Sequence, residues 1–166
     1  MKKWIALLLA ALMLSACCAM AESPTIIYPP VDTDVEGVAI IVVDPQTEPV
    51  QKLTEELAAS FQDTLSDDAK AALGEGEWNV DEILEIAVTG DPTGVDSLKA
   101  TFETPTDFEG KTVGAVLYLL NGENKVVSVL PVSLQDGTHP VVTFAGQDLT
   151  AIQGAQTAAL VLVSHE

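Results

Sequence analysis

Residues 32–37 have the residue types and the spacing with which a calcium-binding loop begins. Carboxylates stand at the first, third and fifth positions, as Asp32, Asp34 and Glu36, and a glycine follows at the sixth. An EF-hand loop arranges its oxygen ligands in this order, but it also requires a carboxylate at the twelfth position. That position is Val43, inside a predicted strand. We therefore interpret the three acids as a solvated acidic segment, with cation binding by them as the alternative.

Nucleophilic catalysis has few candidate residues in this sequence. Beyond residue 21 the histidines are His139 and the penultimate His165. Ser133 and Asp136 are close to His139, but they lie on a predicted hairpin, where such side chains commonly face solvent. A Ser/His/Asp triad also needs an oriented base and an oxyanion hole, and the sequence has no G-x-S-x-G motif. The sequence therefore predicts no catalytic residue, no metal-ligand spacing of histidine or cysteine, and no cofactor.

Trp78 is the aromatic residue whose position could serve a ligand. It is the single tryptophan beyond residue 21, and it follows two glycine-glutamate pairs at residues 74–77. An aromatic ring in such a loop can stack on a ligand, but large aromatic side chains are usually mostly buried. We predict that Trp78 belongs to the core, with ligand stacking as the alternative.

The first 21 residues have the organisation of a secretory signal peptide. Lys2 and Lys3 form a positive start, and residues 4–14 form an apolar stretch that is too short to span a bilayer. The protein is therefore predicted to work outside the cytoplasm. Both cysteines lie at the end of this leader, so residues 22–166, which we call the body, contain no cysteine that could form a disulfide.

Two cleavage positions compete at the end of the leader. Residues 14–17 resemble the lipobox of bacterial lipoproteins, and this resemblance implies cleavage before Cys17 and acylation of that cysteine. Residues 19–21 form a small-x-small site, which predicts cleavage before Glu22 and a free, secreted protein. Acylation would anchor the protein to a membrane, because each buried methylene contributes about 0.8 kcal/mol. The sequence leaves both outcomes open.

The charge of the chain is strongly negative. The formal net charge of the whole sequence is −18 at pH 7. The body contains 25 acidic residues, five lysines and no arginine, which amounts to −20. Such a field repels the phosphates of nucleic acids and anionic lipid headgroups. We therefore predict no nucleic-acid partner and membrane contact only through an N-terminal lipid anchor, so that the expected partner is a protein or a surface ligand.

Composition divides the body into two parts. Residues 22–34 contain Pro24, Pro29 and Pro30 and have the character of a short extended tether. Residues 35–166 carry recurring apolar runs and form a single domain that is long enough to bury a core.

The single domain is predicted to be mainly β, with a helical insertion after its first strand. This strand, residues 37–43, is apolar throughout, which predicts burial on both faces. Residues 48–74 follow the period of two amphipathic helices, with Thr47 and Ser66 as their N-caps. A single helical turn is predicted at residues 147–152, before the last strand.

About seven strands are predicted in total, with turn signals at a spacing typical of a β-sandwich. The six strands after the insertion are predicted at residues 83–89, 98–103, 112–120, 125–134, 141–144 and 158–164. Asn121 and Asp136 each precede a glycine, and these dipeptides supply the positive φ of tight hairpins. Residues 112–120 and 158–164 are apolar on both faces, as is typical of central strands beneath helices. Pro131 lies inside a predicted strand and indicates an edge or a bulge.

The C-terminal half of the chain resembles a known family. The runs that carry the resemblance are LKATF at residues 98–102, VTF at 142–144, LTAI at 149–152 and LVLVS at 160–164. They resemble a small Ig-like domain found in uncharacterised exported proteins of Gram-positive bacteria. The resemblance implies an Ig-like β-sandwich, and it brings no known catalytic or binding residue with it.

These observations predict an exported, non-enzymatic interaction or accessory module, displayed at the bacterial cell surface or released. The prediction depends on the export signal, the sandwich pattern and the lack of a catalytic constellation in the sequence. One alternative is a calcium-dependent binding domain, because the fold could gather loop carboxylates around a cation. A second alternative is a small extracellular hydrolase that uses paired carboxylates.

Overall fold

The computed structural model of the chain describes residues 31–43 and 46–166. In this part the chain forms nine β-strands and three α-helices. The strands are β1 (Asp32–Thr33), β2 (Val38–Val42), β3 (Asn79–Gly90), β4 (Ser97–Thr101), β5 (Thr112–Asn121), β6 (Asn124–Leu130), β7 (Val132–Gln135), β8 (His139–Ala145) and β9 (Thr157–His165). The helices are α1 (Glu48–Ser60), α2 (Asp67–Leu73) and α3 (Gly146–Gly154), and a 3-10 helix (Gln62–Thr64) separates α1 from α2.

The strands form two antiparallel sheets. One has four strands in the order β1-β4-β8-β7, and the other has five in the order β2-β3-β9-β5-β6. The chain changes sheet at each side of the sandwich, from β1 to β2 on one side and from β6 to β7 on the other. This arrangement confirms the predicted fold, a mainly β sandwich with two helices inserted after the apolar strand β2.

Two hydrophobic cores lie on opposite faces of the five-stranded sheet. The first lies between the sheets and includes Phe102, Phe108 and Phe144. The second lies between the five-stranded sheet and the helices α1 and α2, and it includes Trp78 and Tyr118. The strands β5 and β9 contribute to both cores, because successive side chains point to opposite faces of a strand. Their two-faced apolar pattern therefore predicted central strands correctly.

The inserted helices begin where the sequence predicts. In α1 the side chains of Val50, Leu53 and Leu57 are buried, which is the stripe expected at a period of 3.6 residues. The helix α2 starts after Ser66, whose hydroxyl oxygen accepts a hydrogen bond from Ala69 N at 3.2 Å. This bond satisfies one of the free N–H groups at the helix start.

The predicted strand at residues 125–134 is two strands in the structure. Pro131 separates β6 from β7, and the chain passes there from the five-stranded to the four-stranded sheet. Proline has no N–H to donate to a ladder, but the carbonyl oxygen of Pro131 accepts a hydrogen bond from Thr143 N at 2.9 Å. The proline therefore lies between two edge strands, where the chain turns a corner.

The strand β1 has no counterpart in the sequence prediction, which assigns its residues to the tether. Asp32 pairs with Thr101 and Thr33 pairs with Ala100 of β4. A strand of two residues leaves no hydrophobic period, so only its non-local partner defines it. The last residues of the predicted tether are thus part of the four-stranded sheet.

The helix near the C-terminus is longer than the single turn that the sequence predicts. It spans nine residues as α3, from Gly146 to Gly154, and its Leu149 and Ile152 are buried. A carboxylate oxygen of Asp148 accepts a hydrogen bond from Ala145 N at 2.9 Å, which holds the start of the helix against the end of β8. The helix crosses from β8 to β9 over the core between the sheets.

The prediction that residues 37–43 form a strand buried on both faces is wrong in one respect. The strand exists as β2, but it is the last strand of the five-stranded sheet. One face is buried against the other sheet, whereas Ile41 on the opposite face is 43% exposed. An apolar run reports the preference of its residues for burial, and it does not report the order of strands in a sheet.

Candidate functional site

The candidate site is the outer edge of β2, together with the exposed side chain of Ile41 and the turn at residues 34–37 that leads into the strand. We call this surface the β2 edge. Within the described residues, β2 pairs only with β3, and the register between the two runs without a shift. A strand in this position presents unpaired N–H and C=O groups on its other side.

The hydrogen-bonding pattern indicates which residues of β2 present these groups. Val43 N donates to Glu85 O at 2.8 Å, so Val43 bonds to the chain of β3. Hydrogen-bonded and non-hydrogen-bonded pairs alternate along an antiparallel strand, and Ile41 therefore has the same orientation as Val43. Ile40 and Val42 have the opposite orientation, with their N–H and C=O groups directed away from β3.

Two side-chain contacts agree with this alternation. Thr33 Oγ1 of β1 donates to Val38 O at 3.4 Å, on the outer side of β2. Thr89 Oγ1 of β3 donates to Ala39 O at 3.4 Å, on the inner side. The carbonyl group of Val38 is thus already engaged by the chain itself, whereas the outward backbone groups of Ile40 and Val42 have no partner among the described residues.

The two faces of β2 have different environments. Val38 and Ile40 point into the core between the sheets and are 5% and 1% exposed. Ile41 points to the face on which α1 packs against β3 and β9, and it is 43% exposed. Within the described part of the chain, the other exposed large apolar side chain is Val126 of β6, at 56%. Both therefore lie on the edge strands of the five-stranded sheet.

The predicted acidic residues lie in β1 and in the turn before β2. Asp34 Oδ1 accepts a hydrogen bond from Lys99 N at 2.8 Å, which extends the pairing of β1 with β4. Asp32 and Glu36 are exposed. Among the residues that the structure describes, no group of three His, Cys, Asp or Glu side chains has an arrangement that could hold a metal ion. The turn places carboxylates at one end of β2 without gathering them around one point.

Glu85 fixes the start of α1 on the five-stranded sheet. This residue of β3 is only 5% exposed. Its Oε2 accepts a hydrogen bond from Thr47 N at 2.6 Å, and its Oε1 accepts one from Thr47 Oγ1 at 3.2 Å. Nearby, Gln46 Nε2 donates to Ile83 O at 2.6 Å. A carboxylate at a helix N-terminus complements the helix dipole, so these contacts hold the first turn of α1 above β3, next to the β2 edge.

The role of Glu85 was not predicted from the sequence. The signal that could have found it is a single acid inside the otherwise apolar run at residues 83–88. A buried carboxylate needs a partner, so an acid in such a run indicates a specific contact. That partner, Thr47, lies 38 residues away in the sequence, and its identity depends on where the fold brings the first helix.

Trp78 packs as a core residue. It is 9% exposed, and its Nε1 donates to Gly74 O at 3.3 Å. Its ring meets that of His165 edge-on, with the ring centroids 4.4 Å apart. The strand β5 has a glycine beneath the indole, since a Cβ on Gly114 would lie 3.2 Å from Trp78 Cζ3. These contacts leave the indole no free face of the kind that stacks on a ligand.

The side chains considered for nucleophilic catalysis do not converge. His139 Nδ1 lies 3.0 Å from Thr138 Oγ1. Ser133 is exposed on β7, and Asp136 is exposed in the turn between β7 and β8. His165 is half-buried and its ring contacts that of Trp78, on a different sheet from His139. The arrangement provides no base that is oriented toward a nucleophile.

A cleft of about 530 Å³ lies between α1 and the β5–β6 hairpin. Two ion pairs line it: Lys52 Nζ lies 2.7 Å from Glu48 Oε1, and Lys125 Nζ lies 2.6 Å from Glu56 Oε2. The hydrogen bond and the charge of Lys52 lower the pKa of Glu48, and Glu48 raises the pKa of Lys52 in return. Each lysine of this cleft is therefore matched by a glutamate of its own chain.

A carboxylate-based hydrolase needs an acid whose pKa is raised so that it can donate a proton. The pKa of Glu48 is lowered by Lys52. The pKa of Asp91 is also lowered, because the hydroxyl and the backbone N–H of Thr93 donate hydrogen bonds to its carboxylate. Both shifts favour the ionised form, which is the direction opposite to that of a general acid.

Several predicted features lie outside the described residues. They are the signal peptide, the lipidation candidate Cys17, the cleavage positions before Cys17 and before Glu22, and most of the tether. Export and lipidation therefore stay predictions. Within the described residues, none of the helices combines the length and the apolar character that a membrane crossing requires.

The resemblance to Ig-like domains of exported Gram-positive proteins stays a prediction, and the β-sandwich rests on the strand pairing described above. No family model, no curated protein and no solved structure matches the chain.

Proposed function

We propose that the protein is an exported, non-enzymatic binding module that engages another protein through the β2 edge, at the cell surface or after release. The observation that supports this function is the outer edge of β2, where the backbone groups of Ile40 and Val42 have no partner within the described residues and the Ile41 side chain is 43% exposed. A partner strand that pairs with this edge would satisfy the backbone groups and cover the apolar side chain in one step.

The strand β2 itself carries neither a charge nor a proline, which are features that usually protect an edge strand. Natural edge strands are short, charged, bulged or interrupted by proline, because an open edge pairs with any compatible strand. The five residues of β2 include no charge and no proline, and the strand pairs with β3 without a bulge. The apolar composition of β2 and the exposure of Ile41 therefore leave this edge without the usual protection against pairing.

Recovery of complexes from the envelope and the medium of the native producer tests this function. We expect the wild-type protein to retain a partner after cross-linking, and Ile41→Lys to lose it. Val126→Lys is the matched control, because it introduces the same charge at the other exposed apolar side chain, on the opposite edge. A complex that survives Ile41→Lys and is lost with Val126→Lys would contradict the site. Turnover of a cell-wall or extracellular polymer by the purified protein, without any complex, would contradict the function.

A further inference from the structure

We infer that the partner segment is an extended strand of another protein, with apolar side chains at alternate positions and with lysine or arginine at the end that lies beside residues 34–37. This inference rests on the proposed function and names the chemistry of the ligand for the same site. It follows from three properties of the β2 edge: its backbone groups, its exposed face and the charge at one of its ends.

The backbone groups select an extended segment. Ile40 and Val42 direct one N–H and one C=O each away from β3, at the two-residue spacing of an antiparallel strand. A helix satisfies its own N–H and C=O groups internally and has nothing to offer this edge. A β-strand matches the spacing and adds a sixth strand to the sheet.

The exposed face selects an apolar side chain. Ile41 lies on the face of the sheet that carries α1, and it is 43% exposed. A strand paired with β2 would place every second side chain on this face, within about 4.5–5.5 Å of Ile41 when directly opposite. A β-branched or aromatic residue at that position would cover Ile41, and the residues beside it in the partner would point to the other face.

The charge at one end of β2 selects basic residues. Asp34 and Glu36 lie in the turn before the strand, and Asp91 follows Gly90, the residue paired with Val38. All three are exposed, and none of them takes part in either of the ion pairs found in the described part of the chain. Lysine or arginine in the partner would meet these carboxylates at the rim of the interface, where complementary charge increases the association rate and the specificity.

The same charge argues against a second copy of the chain as the partner. The body carries a formal charge of −20, so two copies repel each other before they meet. The exposed carboxylates of Asp34 and Glu36 beside the edge add to this repulsion, because each copy would bring the same charges to the shared surface.

The opposite edge of the five-stranded sheet is protected. β6 carries Lys125, whose ammonium group is held by Glu56 of α1. The strand ends at Pro131, where the chain leaves the sheet, and α2 packs beside β6. These are the features by which proteins limit pairing at an edge, so β2 is the less protected edge of the five-stranded sheet in the part of the chain that the structure describes.

The test uses a synthetic peptide of alternating valine and threonine with lysine at both ends, added to the purified protein. Two further peptides are compared: one has glutamate in place of the lysines, and one has proline in place of the central valine. We expect only the lysine peptide to bind, with affinity that falls as salt is added. In hydrogen exchange, the amides of Ile40 and Val42 should exchange quickly in the free protein and become protected in the complex.

Variants locate the site. We expect Ile41→Lys to weaken binding of the lysine peptide about tenfold or more, because it replaces apolar contact with like charge. Val126→Lys, the matched control, should change the affinity by less than about twofold. Glu36→Gln should weaken binding and reduce its salt dependence, whereas Glu123→Gln, an equal charge change on the β5–β6 hairpin, should do neither.

The outcomes separate this inference from the proposed function. If the glutamate peptide binds at the β2 edge as well as the lysine peptide, the basic partner is wrong and the binding edge stands. If no peptide protects Ile40 or Val42, and no complex is recovered from the producer, both are wrong. A dimer that Ile41→Lys abolishes would assign the edge to a second copy. Protection in the free protein that is lost when residues 22–30 are deleted would assign it to the chain's own N-terminal segment.

Discussion

Replacement of Glu85 tests whether a buried carboxylate holds the first helix on the five-stranded sheet. The residue is 5% exposed, and both of its carboxylate oxygens accept hydrogen bonds from Thr47, at 2.6 Å and 3.2 Å. The substitution Glu85→Gln keeps the shape and one acceptor oxygen but removes the charge. The substitution Glu85→Ala removes the charge and both hydrogen bonds, so the N–H and the hydroxyl of Thr47 are hydrated instead.

The expected loss of stability follows from these contacts. A hydrogen bond to a charged group contributes about 1.5–3 kcal/mol net, and an anion at a helix N-terminus contributes about 0.3–1 kcal/mol. Part of this gain is offset, because burial of a carboxylate removes it from water. Thr47 itself is exposed, so its N–H is hydrated again when the carboxylate is removed. We therefore expect Glu85→Ala to lower the free energy of unfolding by about 2 kcal/mol, and Glu85→Gln by about 1 kcal/mol.

Urea unfolding followed by the fluorescence of Trp78 measures these changes, since the indole is buried beside α2. Glu55→Gln is the control, because Glu55 is an exposed acid of the same helix, and its replacement should cost less than about 0.5 kcal/mol. Hydrogen exchange should show that Glu85→Ala loosens the first turn of α1 before other elements. The reasoning is refuted if Glu85→Ala is as stable as the wild type, or if Glu55→Gln costs as much.

Three further changes have defined outcomes. Gly114→Ala should destabilise the protein by about 1–3 kcal/mol in urea, because the new Cβ would lie 2.6 Å from Leu73 Cδ1; Leu73→Ala should partly relieve this cost, and additive effects would contradict it. Burial raises the pKa of Tyr118, so the stability contributed by its neutral form is complete below about pH 10 and is lost as the pH rises toward the folded-state pKa. In alkaline solution the free energy of unfolding of Tyr118→Phe should therefore fall less steeply with pH than that of the wild type. An unchanged slope would exclude ionisation of Tyr118 as the cause. Asp34→Ala removes the acceptor for Lys99 N and should increase hydrogen exchange at that amide, whereas Glu36→Ala should not.

The layers of the fold could be predicted because they depend on local patterns. Residues 112–120 and 158–164 are apolar on both faces, and they became β5 and β9 with one core on each side. The stripe of α1 and the Ser66 cap depend on neighbouring residues alone, so they were also correct. A period of two or 3.6 residues is enough to state which faces are buried.

The features that the sequence did not reveal depend on partners that are distant in the chain. The two residues of β1 become a strand only because β4 lies beside them. Pro131 separates two strands because the sheets part at that position, and a proline in the sequence does not indicate on which sheet each neighbour will lie. The contact between Glu85 and Thr47 likewise joins residues that are 38 positions apart in the sequence. All three features depend on contacts between residues that are distant in the chain, and such contacts cannot be identified from a single sequence.

The candidate site depends both on the local composition of β2 and on the non-local order of the strands. The composition of β2, with an apolar residue at every position, favours burial of both faces of the strand. The strand order nevertheless puts β2 at an edge, with Ile41 43% exposed. An edge strand that had evolved to stay single would be expected to carry a charge or a proline. A strand whose residues favour burial on both faces, but whose Ile41 stays exposed at the edge of the sheet, therefore supports the proposal that another chain covers this edge.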